Sequence, residues 1–157
     1  MVRGVASICL SASAISFSLS SFEILRCSSF EAIVTDTVTD LGARVVKLIG
    51  DEVMYSVADP VVACRVALAL TDALRAHPVL PPVRGGIAGG AVMLRDGDCF
   101  GPVVNLAARA VKVARPGHVV VSSDVRTAVQ GSFACAPLPP TRVKGFDGEI
   151  ELFELTS

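Results

Sequence analysis

The sequence predicts an α+β sandwich, one antiparallel-rich sheet covered by helices, and three observations lead to it. Helical patterns alternate with short strand pairs joined by tight turns, an order that builds hairpins and not a doubly wound parallel sheet. The 157 residues suit one domain large enough for a core. Apolar residues make up 52% of the chain, yet there is no Trp and one Tyr. The core is therefore expected from Val, Ala, Leu and Ile, which pack well between a sheet and helices.

Each element follows from its own pattern. Phe30, Ile33, Val34, Val38 and Leu41 share a helical face over 30–41, and Gly42 suits the C-terminal cap. Residues 44–49 and 53–57 read as strands around a Gly50-Asp51 turn, a hairpin with an acid at its tip. Pro60 starts a helix to about Arg75, with Val62, Val66, Ala69 and Leu70 inward, and His77-Pro78 ends it. A glycine-bearing strand over 83–93 leads to the turn Arg95-Asp96-Gly97-Asp98. A helix bearing Asn105 and Arg109 follows, with Leu106 and Ala110 expected inward. Pro116-Gly117 breaks the chain before a strand over 118–121, and Ser122-Ser123-Asp124 caps a short helix. A last hairpin over 141–155 turns at Phe146-Asp147-Gly148.

Charge and cysteine usage exclude several classes of function. The 14 Lys and Arg against 15 Asp and Glu create no basic field, so nucleic-acid binding is not expected. Any nucleotide partner is a small molecule held by local contacts. Five cysteines, Cys9, Cys27, Cys64, Cys99 and Cys135, form no CxxC pair and are odd in number. That argues against a disulfide framework or a zinc site and for reduced thiols in a cytoplasmic protein. His77 and His118 lie in loop contexts and have no cysteine at ligand spacing.

The chain changes character near residue 30. Residues 1–30 carry nine serines and the remaining 127 carry five, and no charge occurs between Val5 and Phe22. This divides a Ser-rich segment, 1–29, from a regular domain, 30–157. Three readings compete for the first segment. A signal peptide fits Arg3 before an apolar run, but the serines weaken its apolar region. A membrane span is not expected, because the stretch is too short and too polar. A strand or leader fits best, since Ile15, Phe17 and Leu19 alternate with Ser16, Ser18 and Ser20.

The most chemical stretch is Gly97 to Arg109, Gly-Asp-Cys-Phe-Gly-Pro-Val-Val-Asn-Leu-Ala-Ala-Arg. Asn105 and Arg109 are four apart and share a helix face, within reach of one ligand. A carboxylate such as Asp98 accepts from a base amine, and a guanidinium binds phosphate oxygens. Taken locally, an Asn near a helix start also serves as a cap and an Arg one turn on as a solvated charge. The run Gly85-Gly86-Ile87-Ala88-Gly89-Gly90 lacks the lysine and helix start of a P-loop, so close packing of a strand explains it better.

Beside that stretch stand Val45-Val46-Lys47-Leu48-Ile49-Gly50-Asp51-Glu52-Val53 and Arg142-Val143-Lys144-Gly145-Phe146. In this order and spacing the three segments resemble the class III adenylate and guanylate cyclase catalytic domain over roughly Phe30 to Leu155. The resemblance implies a ferredoxin-like sandwich of the nucleotide cyclase type, its opening strand altered or missing. It also implies conversion of ATP to cyclic AMP and pyrophosphate by a two-metal mechanism, at sites formed between two domains of a homodimer or a heterodimer with another cyclase domain.

By that resemblance Asp51 is one of two aspartates holding magnesium or manganese. Lys47 and Asp98 are the base-selecting pair: adenine offers an acceptor at its ring nitrogen and a donor at its amine, and guanine reverses that order. Asn105 resembles the asparagine that positions the ribose, Arg109 the arginine that neutralises charge on the α-phosphate, and Lys144 the lysine on the terminal phosphates. One departure is plain. The family's first metal aspartate belongs to an opening Phe-x-Asp-Ile-x-Gly-Phe-Thr segment, and counting back from Asp51 lands near Ser7 in Val5-Ala6-Ser7-Ile8-Cys9. A serine hydroxyl does not replace an anionic ligand for a hard dication, so the metal site is expected to be incomplete and the domain inactive or weak alone. The alternative expectation is a regulatory partner that completes another cyclase's site.

Overall fold

The computed structural model describes residues 2–11, 21–142 and 148–156, with side chains from residue 28 onward. The elements in chain order are β1 (Val2–Ser11), α1 (Ser21–Asp40), β2 (Arg44–Ile49), β3 (Glu52–Val57), α2 (Pro60–Ala76), β4 (Arg84–Arg95), β5 (Asp98–Phe100) and α3 (Pro102–Val113). Then follow β6 (Val119–Ser122), α4 (Ser123–Ala128), β7 (Ala134–Pro137), β8 (Thr141–Arg142), β9 (Glu149–Ile150) and β10 (Leu152–Thr156). The main sheet runs β2-β3-β1-β4-β6-β10-β7, β5 adds to β4 as a hairpin, and β8 pairs β9 separately. The β4–β6 pairing is parallel and the other pairings in these sheets are antiparallel.

The alternation along the strands sorts the core onto two faces. Val119 and Val121 of β6 join Phe30, Val34 and Val38 of α1 and Val66, Leu70 and Leu74 of α2 in the main cluster. Val120, between them, turns to the other face and meets Ala110 of α3, Ala114 beyond its end, and Leu152. Helices α1, α2 and α4 therefore cover one face and α3 the other. Tyr55 is fully buried in the main cluster and its hydroxyl donates to the Ala63 carbonyl at 2.9 Å, tying β3 to the first turn of α2. Asp59 caps α2 by accepting from the Val61 amide at 2.8 Å, ahead of Pro60 in the first turn.

Several expectations are met and several change. The helix expected over 30–41 is the second half of α1, which begins at Ser21. Gly42 closes it at φ 77°, with the Ala43 amide donating to Val38. The opening strand is present: β1 lies between β3 and β4, so it is altered in sequence and not missing. The Ile15, Phe17 and Leu19 alternation lies outside the described residues, as do Phe146 and Asp147 of the expected last turn. β7 was not expected, because Ala-Cys-Ala-Pro carries no period-two signal. Ser122 is the cap residue of α4 without a side-chain cap bond, since its hydroxyl instead accepts from the Gly89 amide at 3.4 Å.

Helix α3 corrects the sequence reading in two respects. It opens at Pro102 behind Gly101, whose φ of 136° suits glycine, so Asn105 sits within the helix and not at its start. Its inward residues are Ala107, Ala110 and Val111, while Leu106 is half-buried. The reason is the neighbour: a Cβ on Gly86 of β4 would lie 2.4 Å from the Ala107 carbonyl oxygen and 2.5 Å from the Val111 amide. The helix backbone rests directly on the glycine strand, and small residues face that contact.

Candidate active site

The residues marked by the sequence that are described come from three places: hairpin β2–β3, hairpin β4–β5 and helix α3. Lys47 of β2 and Asp98 of β5 meet, with the ammonium nitrogen 2.6 Å from Oδ2. The other oxygen, Oδ1, accepts from the Cys99 amide at 2.8 Å. The Lys47 hydrogen bond, reinforced by that amide, holds the Asp98 carboxyl below the usual carboxylate range. Both side chains are about one-third exposed, 38% and 31%. Solvent screens such a pair, so its value lies in placing a donor beside an acceptor more than in stability.

An irregularity in β2 aims the lysine. Arg44 pairs with Ser56, Val45 with Tyr55 and Lys47 with Met54, so Val46 is the extra residue of a β-bulge. In a regular strand Arg44 and Lys47, three apart, would point to opposite faces. The bulge returns Lys47 to the side on which Met54, Val92 and Cys99 form a small apolar cluster against Val46, Val103 and Val104. Arg44 also reaches that side, where its guanidinium donates to the Gly97 carbonyl at 3.4 Å. The sequence reading passed over Arg44, because a plain strand pattern separates it from Lys47; only the register shows them together.

The β4–β5 turn presents Asp98. Asp96 and Gly97 both have positive φ, 51° and 83°, as a two-residue turn between the paired Arg95 and Asp98 requires. On α3, Val104 and Ala108 line a cleft of about 150 Å³ together with Lys47, Glu52 and Met54. Asn105 and Arg109 are the next residues round that helix, Asn105 exposed and Arg109 half-buried. Among the described residues neither side chain makes a hydrogen bond or ion pair.

Asp51 stands at the β2–β3 tip after Gly50, whose φ is 60°. The register places Ser7 opposite Ser56, four pairs from the end of β3 nearest Asp51, while Ser11 faces Glu52. Spacing alone therefore picks the wrong serine as the neighbour of the tip, because pairing and not counting fixes position along a sheet. Neither choice supplies a carboxylate, since residues 2–11 contain no Asp or Glu. Among the described residues no three His, Cys, Asp or Glu side chains gather as a metal site. Two hard cations need more anionic oxygen than this, so the described residues do not by themselves fit a complete two-metal centre. Lys144 lies outside the described residues. Among the described residues no helix is long and apolar enough to cross a membrane.

The chain is similar in sequence and in fold to known proteins. Residues 28–157 match the family described as the adenylate and guanylate cyclase catalytic domain. An uncharacterised protein of Mycobacterium tuberculosis is 41% identical over 128 residues, covering 82% of this chain and 34% of that one. An adenylate cyclase of Glutamicibacter nicotianae is 35% identical over 130 residues, covering 82% of this chain and 32% of that one. The chain thus spans about a third of the length of these curated relatives. In fold it is similar to the crystal structure of the adenylyl cyclase CyaB from P. aeruginosa, with a TM-score of 0.82 and 18% identity over 98% of this chain and 93% of that one.

Proposed function

Because the chain belongs to the adenylate and guanylate cyclase catalytic domain family, we propose that it is an adenylate cyclase-like domain carrying the base-selecting and phosphate-stabilising half of an ATP site. The observation that supports this is the 2.6 Å contact between Lys47 and Asp98. Lysine donates and aspartate accepts, which complements the acceptor and amine on the edge of adenine and opposes guanine. A base entering there takes over both charged groups. Asn105 then orients the ribose and Arg109 steadies charge on the α-phosphate from the next turn of the same helix. Lys144 is assigned to the terminal phosphates by the family resemblance.

The metal half has Asp51 and no partner carboxylate on β1, so the domain is inactive or weak as a homodimer. A second reading is favoured by the same asymmetry: joined to a complete cyclase domain, the chain contributes Lys47, Asp98, Asn105, Arg109 and Lys144 to one site while the partner contributes the metal carboxylates. The test has two arms. Purified chain should bind ATP in preference to GTP, a preference lost in Asp98→Asn, and should yield little cyclic AMP with manganese. Adding it to a complete cyclase whose own asparagine and arginine are substituted should restore turnover, and Arg109→Ala should not. Equal affinity for ATP and GTP in the unaltered chain would sink the base assignment; no rescue at high concentration would remove the heterodimer reading.

A further inference from the structure

Hairpin β4–β5 carries Asp98, yet the ladder does little to fix how its tip leans. β5 has three residues and pairs only with β4 among the described strands. Its inward residue, Cys99, is anchored in the apolar cluster with Met54 and Val92. Beyond Cys99, two polar ties join the tip to β2: Lys47 to the Asp98 carboxylate at 2.6 Å, and Arg44 to the Gly97 carbonyl at 3.4 Å. The first is closed too tightly to admit a base between its members. A nucleotide that uses both groups must open it, and the tip then keeps one polar connection to β2.

We infer that Arg44 is a positioning residue for nucleotide selection, holding the Asp98-bearing turn beside Lys47 once a purine base has separated the pair. The inference rests on the reading of Lys47 and Asp98 as the base-selecting pair. Arg44 touches no base in this arrangement. It grips the carbonyl of the residue just before Asp98, and the bulge at Val46 brings it to the same side of β2 as Lys47. A backbone acceptor suits the task, because it does not change with the side chain at the turn and is not consumed by the ligand. Without this tie the carboxylate samples positions out of line with the lysine, and a site that needs donor and acceptor at one spacing loses discrimination between bases more than it loses general affinity for a nucleotide.

The experiment measures ATP and GTP affinity by equilibrium titration of the full chain and of Arg44→Met, Arg44→Lys, Asp98→Asn and the Arg44→Met, Asp98→Asn double variant. The expected result is a roughly fivefold fall in the ATP-to-GTP preference for Arg44→Met, the size of one lost hydrogen bond. Arg44→Lys, which keeps an N–H donor, should recover most of it. In the Asp98→Asn background Arg44→Met should change the preference no further, since the carboxylate it positions is gone. Preference unchanged in Arg44→Met, or an effect that adds in full to that of Asp98→Asn, overturns the inference. Should Asp98→Asn keep the original preference, the base-selecting reading fails first, and with it the role of Arg44. Arg44 is exposed, so cooperative melts of each variant should match the parent; a melt lowered in Arg44→Met and in Arg44→Lys alike, with preference intact, would mark Arg44 as structural and overturn the inference.

Discussion

Lys47 and Asp98 stand 51 positions apart in the chain and 2.6 Å apart in space. Their contact gives stability a defined pH dependence. Asp98 has a folded pKa below its ordinary value of 3.8, first through the Lys47 hydrogen bond and then through the Cys99 amide. A depressed carboxyl stabilises the fold above its unfolded pKa, and that contribution is lost as pH falls through the lower folded value. The melting-temperature gap between the parent and Asp98→Asn should therefore be present at neutral pH and shrink below about pH 4. It should also shrink in high salt. A gap that stays constant from neutral to acid pH contradicts the pairing.

Gly86 should be intolerant of even one methyl group. Its Cβ would meet the Ala107 carbonyl and the Val111 amide at 2.4 and 2.5 Å, both backbone atoms that cannot swing aside. Gly86→Ala is expected to cost about 1–3 kcal/mol and to displace the helix bearing Asn105 and Arg109. Thermal unfolding measures the first effect and ATP affinity the second. Gly131→Ala, with open space around its Cβ but φ at 94°, should be costly for strain alone and leave ATP binding intact.

Tyr55 offers an optical test, since it is the one tyrosine of the chain. Burial, and secondarily the nearby Cys64, pushes its pKa well above the ordinary 10. A phenol kept neutral in the fold stabilises it below the unfolded pKa, and that contribution fades as pH rises toward the folded value. Tyrosinate absorbance should therefore rise together with loss of helical circular dichroism. A rise near pH 10 with the fold intact would show an accessible ring. Tyr55→Phe removes the bond to Ala63 and should cost about 0.5–1.5 kcal/mol.

Thiol labelling should be graded. Burial pushes the Cys64 thiol up to about 12, and Cys99 is also buried and raised. Cys135 is half-exposed, with Arg126 partly opposing the upward effect of its burial. Peptide mapping after mild alkylation should find Cys135 modified before Cys64 and Cys99, because the thiolate is the reacting form. Faster labelling of Cys64 would place it at the surface.

Arg109→Ala and Asn105→Ala should leave the melting curve close to that of the parent, because neither side chain packs into a core cluster. In a complemented cyclase each should cost about 10²–10³ in turnover, the scale of losing one preorganised donor at developing charge. Equal turnover in both variants would take α3 out of the chemistry.

The sequence made visible what depends on local pattern. Hairpin β2–β3, helix α2 and the Asp96-Gly97 turn fall where turn residues and apolar spacing put them. Lys47, Asp98, Asn105 and Arg109 stand out as candidates because their spacing survives in the linear chain. What escaped depends on partners far away in sequence. The early start of α1 at Ser21 has no charge pattern to mark it, and the inward face of α3 is set by Gly86 across the sheet. Ser7 was reached by counting, whereas Ser11 faces Glu52 by pairing. Arg44 was invisible for the same reason, its relation to Lys47 being a property of register.

The bulge at Val46 makes the proposed nucleotide preference a matter of register as well as of composition. Were Val46 drawn into the ladder opposite Met54, every polar group of the site would remain in the sequence, yet Lys47 would pair with Val53 and swing toward the face covered by α1 and α2, where Val45 and Leu48 pack. A buried, unpaired ammonium there would trade selectivity for instability. Deleting Val46 outright, by contrast, leaves Arg44 opposite Ser56 and Lys47 opposite Met54 in an unbroken ladder, so the lysine keeps its side. The face on which Lys47 stands is thus set by which residues of β2 count in the ladder, and no single side chain records it.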